Sequence, residues 1–416
     1  MRDLASICTI EKVWPLEGKD KVQGASMVEN SYEAMVSKDI QPGQLVAFIQ
    51  EGSILPVKDT WEWLRKRCFK ESVNGFVIKP MKFATIKSWG LIVPLNELGL
   101  DEKVWKKFKA GDDITDVLEI RKYEPEEDAS PTKGESKKAY PKWVKFCLSH
   151  ILTRWIGRIW QKNHQNSSGG FPSNLISKSD ETTIQNMKGT LQKFADERVY
   201  VTAKMEGQSF TVVPVFKGKK LTGAYPCSRN NAYTLPDNSI FWEMMRKKDI
   251  INKMKKIYKE TGNAYILQGE QVGPTIQQNI YNFAENDWYV FTVKNYNTGK
   301  QLPPEEAIKV ATADFGLHFV PVIQSNVLLK DIMPDVNAAV AYAEKAAWIV
   351  SPEGYQNLLY EVQPKDKIWV DYLQHEGVVV RTMNYDKDSN IGCSFKVKNS
   401  DYADKGLGEI AKLARK

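Results

Sequence analysis

A chain of 416 residues and 47.4 kDa is long enough for two domains of about 100–200 residues each, and 42% apolar with 11% aromatic content excludes a disordered chain. Lys and Arg number 58 against 51 Asp and Glu, a formal +7, but eight bases and one acid between Lys133 and His164 account for the whole excess, so one stretch rather than the whole chain suggests an anionic partner. Five scattered cysteines without a C-x-x-C pair, and only four His, argue against a zinc site and suit the reduced thiols of a cytoplasmic protein.

In chain order, residues 1–122 read as β-rich. Runs at 6–14, 28–36, 44–51 and 76–85 carry β-branched or aromatic residues, separated by turn clusters such as Gly18-Lys19-Asp20, Pro42-Gly43 and Asn74-Gly75. Residues 59–70 read as a helix between strands, and the whole suggests a small barrel, of which the OB type is one choice. The opening residues lack the apolar core of a signal peptide, and no run approaches the ~18 apolar residues of a membrane span. A soluble protein is expected.

Residues 123–170 read as a linker and an insertion. The charged stretch 124–138 contains Pro125 and Pro131. It is followed at 141–164 by an i, i+3, i+4 apolar series through Val144, Cys147, Leu148, Ile151, Leu152, Trp155, Ile156 and Ile159, the pattern of an amphipathic helix. Packing on a neighbouring domain, a grip on nucleic acid, and a membrane-surface or partner helix are three readings of this segment. Residues 171–416 alternate strand-like runs (199–203, 208–216, 264–270, 287–295, 318–322, 377–381, 393–397) with helical ones (180–193, 241–261), an α+β domain rich in antiparallel sheet.

The chemistry concentrates in that last segment. At Val201-Thr-Ala-Lys204-Met-Glu206-Gly207 a strand ends in a lysine, with an acid two residues on and then a glycine that permits a tight turn. A lysine amine attacks phosphorus only when deprotonated, and a free one near pKa ~10.4 is ammonium at neutral pH. Nearby cations or burial lower that value. Alone, Lys-x-Glu-Gly is a weak signal, and the plain reading of a surface lysine at a strand end would win over it. Glu376 sits at a strand start, where a carboxylate suits a hard cation. Lys396 and Lys398 alternate along a strand and so share a face.

In order after Lys204 come Ser228-Arg229-Asn230, Gln268-Gly-Glu270-Gln-Val-Gly-Pro274, Trp288-Tyr-Val-Phe291, Glu376-Gly377-Val-Val-Val-Arg381 and Ser394-Phe-Lys396-Val-Lys398. This series resembles the covalent nucleotidyltransferases, the superfamily of ATP-dependent ligases and capping enzymes. With the upstream Phe171-Pro172, Ser177-Lys-Ser-Asp180-Glu181 and Ile184-Gln185-Asn186 it is more specifically similar to RNA ligases. Pro15-Leu-Glu-Gly18, Ile54-Leu-Pro56 and Lys66-Arg67-Cys68-Phe69-Lys70 resemble the OB domain that precedes catalysis in one RNA ligase clade. DNA ligases place an OB domain after the last lysine motif, and only 18 residues follow Lys398 here.

The resemblance implies an N-terminal OB-type barrel and a nucleotidyltransferase domain that joins 3′-OH and 5′-phosphate RNA ends or nicks in RNA repair, using ATP and Mg²⁺ or Mn²⁺. Lys204 would take AMP covalently, pass it to a 5′-phosphate, and release it as the phosphodiester forms. The resemblance gives Glu270 to the ribose, Phe291 to adenine, Arg229 to the ribose or an RNA phosphate, Lys396 and Lys398 to the α-phosphate, and Glu376 with Glu206 to the metal. Plain readings stand beside these: Phe291 as a core residue on the face of Tyr289, and Arg229 as a partner of Asp237. Two departures from the family pattern are Glu206, where Asp is commoner, and Ala203, where related RNA ligases often have Glu. The alternatives are a DNA ligase, which a nicked duplex with RNA or DNA at the 3′-OH side distinguishes, and a nucleic-acid-binding protein with an inactive ligase domain. Three steps on one chain need no second subunit, so a monomer is expected.

Overall fold

The computed structural model of the chain describes residues 4–83, 86–123, 168–277, 279, 283–346, 349–351, 354–356 and 376–399. The expected basic helix at 141–164 lies outside the described residues. No helix among the described residues is long and apolar enough to cross a membrane.

The N-terminal unit is built on five antiparallel strands in the order Gly90–Pro94, Leu45–Gln50, Ala5–Pro15, Val22–Met27, Glu33–Ser37. The edges of this sheet meet: Trp89 N–H donates to the Glu33 carbonyl at 3.1 Å and Met35 N–H to Ser88 Oγ at 3.1 Å, nearly closing an OB-type barrel. Period-two alternation sends side chains of the inner strands to opposite faces. Cys8, Ile10, Val46 and Phe48 enter one core, while Ala5, Ile7, Ala47 and Ile49 enter a second with Leu55, Trp61 and Phe76. Within this unit a four-stranded sheet runs in the order Arg121–Lys122, Ser53–Leu55, Gly75–Val77, Phe69–Lys70. The expected helix at 59–70 is a 3-10 turn, Asp59–Leu64, and one α turn, Arg65–Cys68, running into the Phe69–Lys70 strand.

The C-terminal unit has two sheets. The larger orders seven strands as Ser168–Gly170, Asn231–Tyr233, Lys220–Cys227, Gln208–Lys217, Tyr265–Val272, Asp287–Asn295, His318–Phe319. The smaller orders four: Val322–Leu328, Arg198–Ala203, Gly377–Thr382, Ser394–Lys398. Every pairing but that of Asp287–Asn295 with His318–Phe319 is antiparallel, as the α+β reading anticipates.

Two helical expectations change. The stretch 241–261 is two helices, Ile240–Lys247 and Ile250–Thr261, broken where Asp249 adopts φ 51°. The stretch 180–193 keeps only a 3-10 turn at Ile184–Asn186 and one α turn at Thr190–Lys193. Residues 182–183 run beside the Ser394–Lys398 strand instead, with Lys396 N–H donating to the Thr182 carbonyl at 2.9 Å and Thr183 bridging Lys396.

One continuous apolar cluster joins the two units, taking Cys8, Ile10, Tyr32 and Phe48 from the barrel and Ile184, Val199, Val201 and Val378 from the C-terminal sheets. Polar contacts line the same seam. Ser31 N–H donates to the Gln185 carbonyl (2.8 Å), Asn186 Nδ2 to Gln50 Oε1 (3.1 Å), and Lys188 Nζ to the Val28 carbonyl (2.7 Å).

Candidate active site

Lys204 lies where the chain leaves one sheet for the other. The strand Arg198–Ala203 belongs to the smaller sheet and Gln208–Lys217 to the larger, so the turn from Lys204 to Gly207 bridges them. Its start is pinned on both sides: Ala203 N–H donates to the Pro321 carbonyl at 2.8 Å, and Lys204 N–H to the Gly377 carbonyl at 2.9 Å. Met205, 4% exposed, roots the turn in the core, and the Glu206 carboxylate beside it is 5% exposed.

Gly207 is required by close approach. A Cβ there would stand 2.4 Å from the Gln271 carbonyl oxygen and 2.8 Å from Glu270 Cγ, distances no side chain tolerates. The same packing sets Glu270 against the turn from Lys204 to Gly207, in register with Ser209 on the adjoining strand.

Glu376 immediately precedes the strand Gly377–Thr382, and its carboxylate is ion-paired with Lys204 Nζ. Gly377 in turn pairs with Lys398. Residues 204, 377 and 398 therefore form one row across three chain segments. Two steps of about 4.8 Å separate the two lysine backbones by about 10 Å. The Lys398 ammonium is ion-paired with Glu51, from the barrel unit.

The remaining candidates join through two acids whose roles sequence reasoning did not assign. Asp180 accepts a 2.7 Å bond from Arg229, a partner that neither reading of Arg229 named. Burial acts to raise the Asp180 carboxyl, but Arg229, Lys122 and Lys396 together outweigh it and hold it below the usual carboxylate range. Lys122 comes from the barrel unit, so both units contribute charge here. Glu181, one residue on, accepts from Arg381 Nη2 at 2.8 Å and from Ser394 Oγ at 2.7 Å.

Arg381 also donates to the Phe291 carbonyl at 2.8 Å and sits over the Phe291 ring, 5.5 Å from its centroid. Phe291 stands at an irregularity: Gln268 pairs with Thr292, but Gly269 pairs with Val290, leaving Phe291 as the extra residue of a bulge. The two-residue alternation that would put it on the face of Tyr289 is interrupted there. Tyr289 is 1% exposed and stacks on His318, while Phe291 is only partly buried at the edge of the core.

The structure thus joins Lys204, Glu376 and Lys398 directly or through the backbone, Glu270 and Gly207 by packing, Arg229 and Lys396 through Asp180, and Phe291 through Arg381. Sequence reasoning missed Glu51 altogether. It lies 347 positions from Lys398, and no motif spacing signals such a contact.

The RNA ligase family matches residues 197–398, the span from this strand to the last lysine, and an OB-fold domain family matches residues 4–95. Residues 197–398 belong to the RNA ligase family. No curated protein matches the chain in sequence. In fold the chain is similar to Naegleria gruberi RNA ligase with PPi, at a TM-score of 0.67 and 20% identity over 97% of this chain and 98% of that one. A mutant of the same ligase with ATP and Mn gives a TM-score of 0.68 at 19% identity over 97% and 99%. The family span holds every one of the nine candidates from Lys204 to Lys398. The acids Glu51 and Asp180, which touch those candidates, lie upstream of it.

Proposed function

We propose that the chain is an ATP-dependent RNA ligase that joins 3′-OH and 5′-phosphate RNA ends or nicks through a lysyl–AMP intermediate, in the service of RNA repair. The observation that carries this reading is the Lys204–Glu376 ion pair at the junction of two sheets, in one backbone row with Lys398. A structural salt bridge needs none of the surrounding apparatus: a turn that admits only glycine at Gly207, Lys396 beside Lys398 on one face of their strand, and a buried Glu206. ATP and Mn in the Naegleria ligase structures support the choice of nucleotide and ion class.

The residues present fit a divalent ion held mainly by phosphate and water. Among the described residues no group of three or more His, Cys, Asp or Glu could hold a metal by itself. Two carboxylates, Glu206 and Glu376, offer hard oxygens, and Mg²⁺ characteristically takes one or two carboxylates plus substrate phosphates. Such an ion supplies neutralisation of the charge that builds on the phosphoryl oxygens.

The chain's own residues do the rest. Glu376, ion-paired with Lys204, holds the Lys204 Nζ in place at the strand end. Lys204 Nζ, having lost a proton to solvent, forms a bond to the α-phosphorus as the bond to pyrophosphate breaks. Lys396 and Lys398 stabilise the oxygens of that phosphate. Glu270 holds the ribose, Phe291 stacks on adenine, and Arg229 binds the ribose or an RNA phosphate. A 5′-phosphate oxygen then displaces Lys204 from AMP, and a 3′-hydroxyl oxygen displaces AMP from the activated end. On the barrel unit, exposed Trp63, Lys66 and Arg67 offer a face for the RNA backbone.

Incubation with α-labelled ATP and Mg²⁺ or Mn²⁺ tests the reading. The wild-type chain should retain covalent label through denaturation, and Lys204→Ala should retain none. An adenylate that survives Lys204→Ala would overturn the mechanism.

A further inference from the structure

The Glu51–Lys398 pair has no place in the steps above. Glu51 immediately follows the barrel strand Leu45–Gln50 and is 8% exposed, and its carboxylate meets the Lys398 ammonium across the seam between the two units. It is not a drifting surface acid. Its N–H donates to the Trp89 carbonyl at 3.2 Å, and the next residue's N–H to the Ile78 carbonyl at 2.8 Å, so the tip is fixed in the barrel. Its neighbour Gln50, 6% exposed, is held by Asn186 at 3.1 Å.

A buried carboxylate beside a lysine proposed to bind phosphate repels the nucleotide's anionic tail, so it does not serve affinity for ATP. It does fix where the ammonium points. Lys398 carries a long, flexible side chain, and its backbone lies in the row that holds Lys204. A second carboxylate, Glu376, fixes the other end of that row.

We infer that Glu51 is a positioning residue for the ligase reaction: from the barrel unit it orients Lys398 for the α-phosphate, so alignment of the phosphate-binding lysine depends on the barrel being docked. This rests on the reading of Lys204 and Lys398 given above. Misplacing a charge-stabilising group by about 1 Å costs up to about a hundredfold in rate, whereas removing a repulsive carboxylate leaves nucleotide binding intact or tighter.

The test is single-turnover lysyl–AMP formation on the full chain, as a function of ATP concentration. Glu51→Gln should slow the rate at saturating ATP by about tenfold or more, with half-saturating ATP unchanged or lower. Glu119→Gln removes a barrel carboxylate that pairs with Lys58 instead of Lys398, and should keep the wild-type rate. A Glu51→Gln rate equal to wild type, a loss that appears only in half-saturating ATP, or an equal loss in Glu119→Gln would each overturn the inference. Glu51→Asp replaces Glu51→Gln in these comparisons if the latter does not fold, and should also be slow because its carboxylate falls one methylene short. The two readings fail differently. If the wild type forms no Lys204-dependent adenylate, the ligase reading fails and takes this role with it; if the wild type is active and Glu51→Gln equals it, only the positioning role is lost.

Discussion

Arg381 carries its charge where almost no water reaches it, with its side chain 5% exposed and that of its partner Glu181 8% exposed. The planar fork of arginine can serve three acceptors at once, and it does: Glu181, the Phe291 carbonyl and Thr292 Oγ1. The pair therefore braces the ring proposed for adenine from behind. Burial acts to raise the Glu181 carboxyl, yet Arg381, Ser394 and Lys387 outweigh it and hold it below its ordinary value. A carboxylate depressed in the folded state stabilises the fold above its unfolded pKa, about 4.3. That stabilisation is lost as pH falls through the lower folded value. Glu181→Gln should cost about 3–5 kcal/mol at neutral pH, because it strands a buried guanidinium. Urea unfolding from pH 3 to 7 should show the wild type losing stability on the acid side, and the variant losing less over the same interval.

At the scale of elements, the site depends on three segments held in one register, and Gly377 is where that register is tightest. Its φ is 137°, and a Cβ would lie 2.2 Å from the Val397 carbonyl oxygen. Gly377→Ala should destabilise the chain by about 2–4 kcal/mol through backbone strain and overpacking. It should also slow adenylation of the molecules that remain folded, because Glu376 and Lys398 flank the displaced contact; chemical denaturation and single-turnover labelling separate the two effects. Three of this sheet's four strands are legible in the sequence because Val199, Val201, Val378, Val380, Phe395 and Val397 alternate with period two, whereas the fourth, Val322–Leu328, begins where the run read at 318–322 stops. Motif order likewise made Lys204, Glu376 and Lys398 readable, since each sits at a strand end that the apolar run marks. The strand Val22–Met27 was not legible. Its VQGASM sequence carries little β-branched or aromatic signal, and Gly24 is there because Trp14 packs where a Cβ would stand. The helix expected from residue 180 fails for a different reason. Asp180 and Glu181 suit a helix start locally, but pairing of residues 182–183 with Lys396 and burial of Glu181 against Arg381 override that preference. Distant partners such as Glu51 leave no local mark at all.

The molecule as a whole is two units on one core, and the proposed ligase reading gives the seam between them a testable RNA path. In the four-stranded barrel sheet, the edge strand Arg121–Lys122 brings Lys122 within electrostatic reach of Asp180, and hence of Arg229 and Lys396. The opposite edge is Phe69–Lys70, three strand steps or about 14 Å away. The turn that leads into it carries Lys66 and Arg67, both exposed, and Trp63 at 64% exposure. Arg65 is a different matter. It is held by Glu62 at 2.5 and 2.6 Å and lies over the Phe69 ring at 4.2 Å, which makes it part of the scaffold for its neighbours. A duplex with its nick at Lys204 would run across this sheet toward those bases. Each phosphate contact releases counterions, so it contributes close to one unit to the slope of log affinity against log salt. Lys66→Ala with Arg67→Ala should therefore weaken binding of a nicked RNA duplex and flatten that slope by about 2. Trp63→Ala should weaken binding by about 1–3 kcal/mol while leaving the slope unchanged, since an aromatic contact to a base or sugar displaces no counterion. Fluorescence anisotropy of a labelled nicked duplex, titrated at several salt concentrations, measures both. A double variant with the wild-type slope would place the RNA elsewhere on the chain.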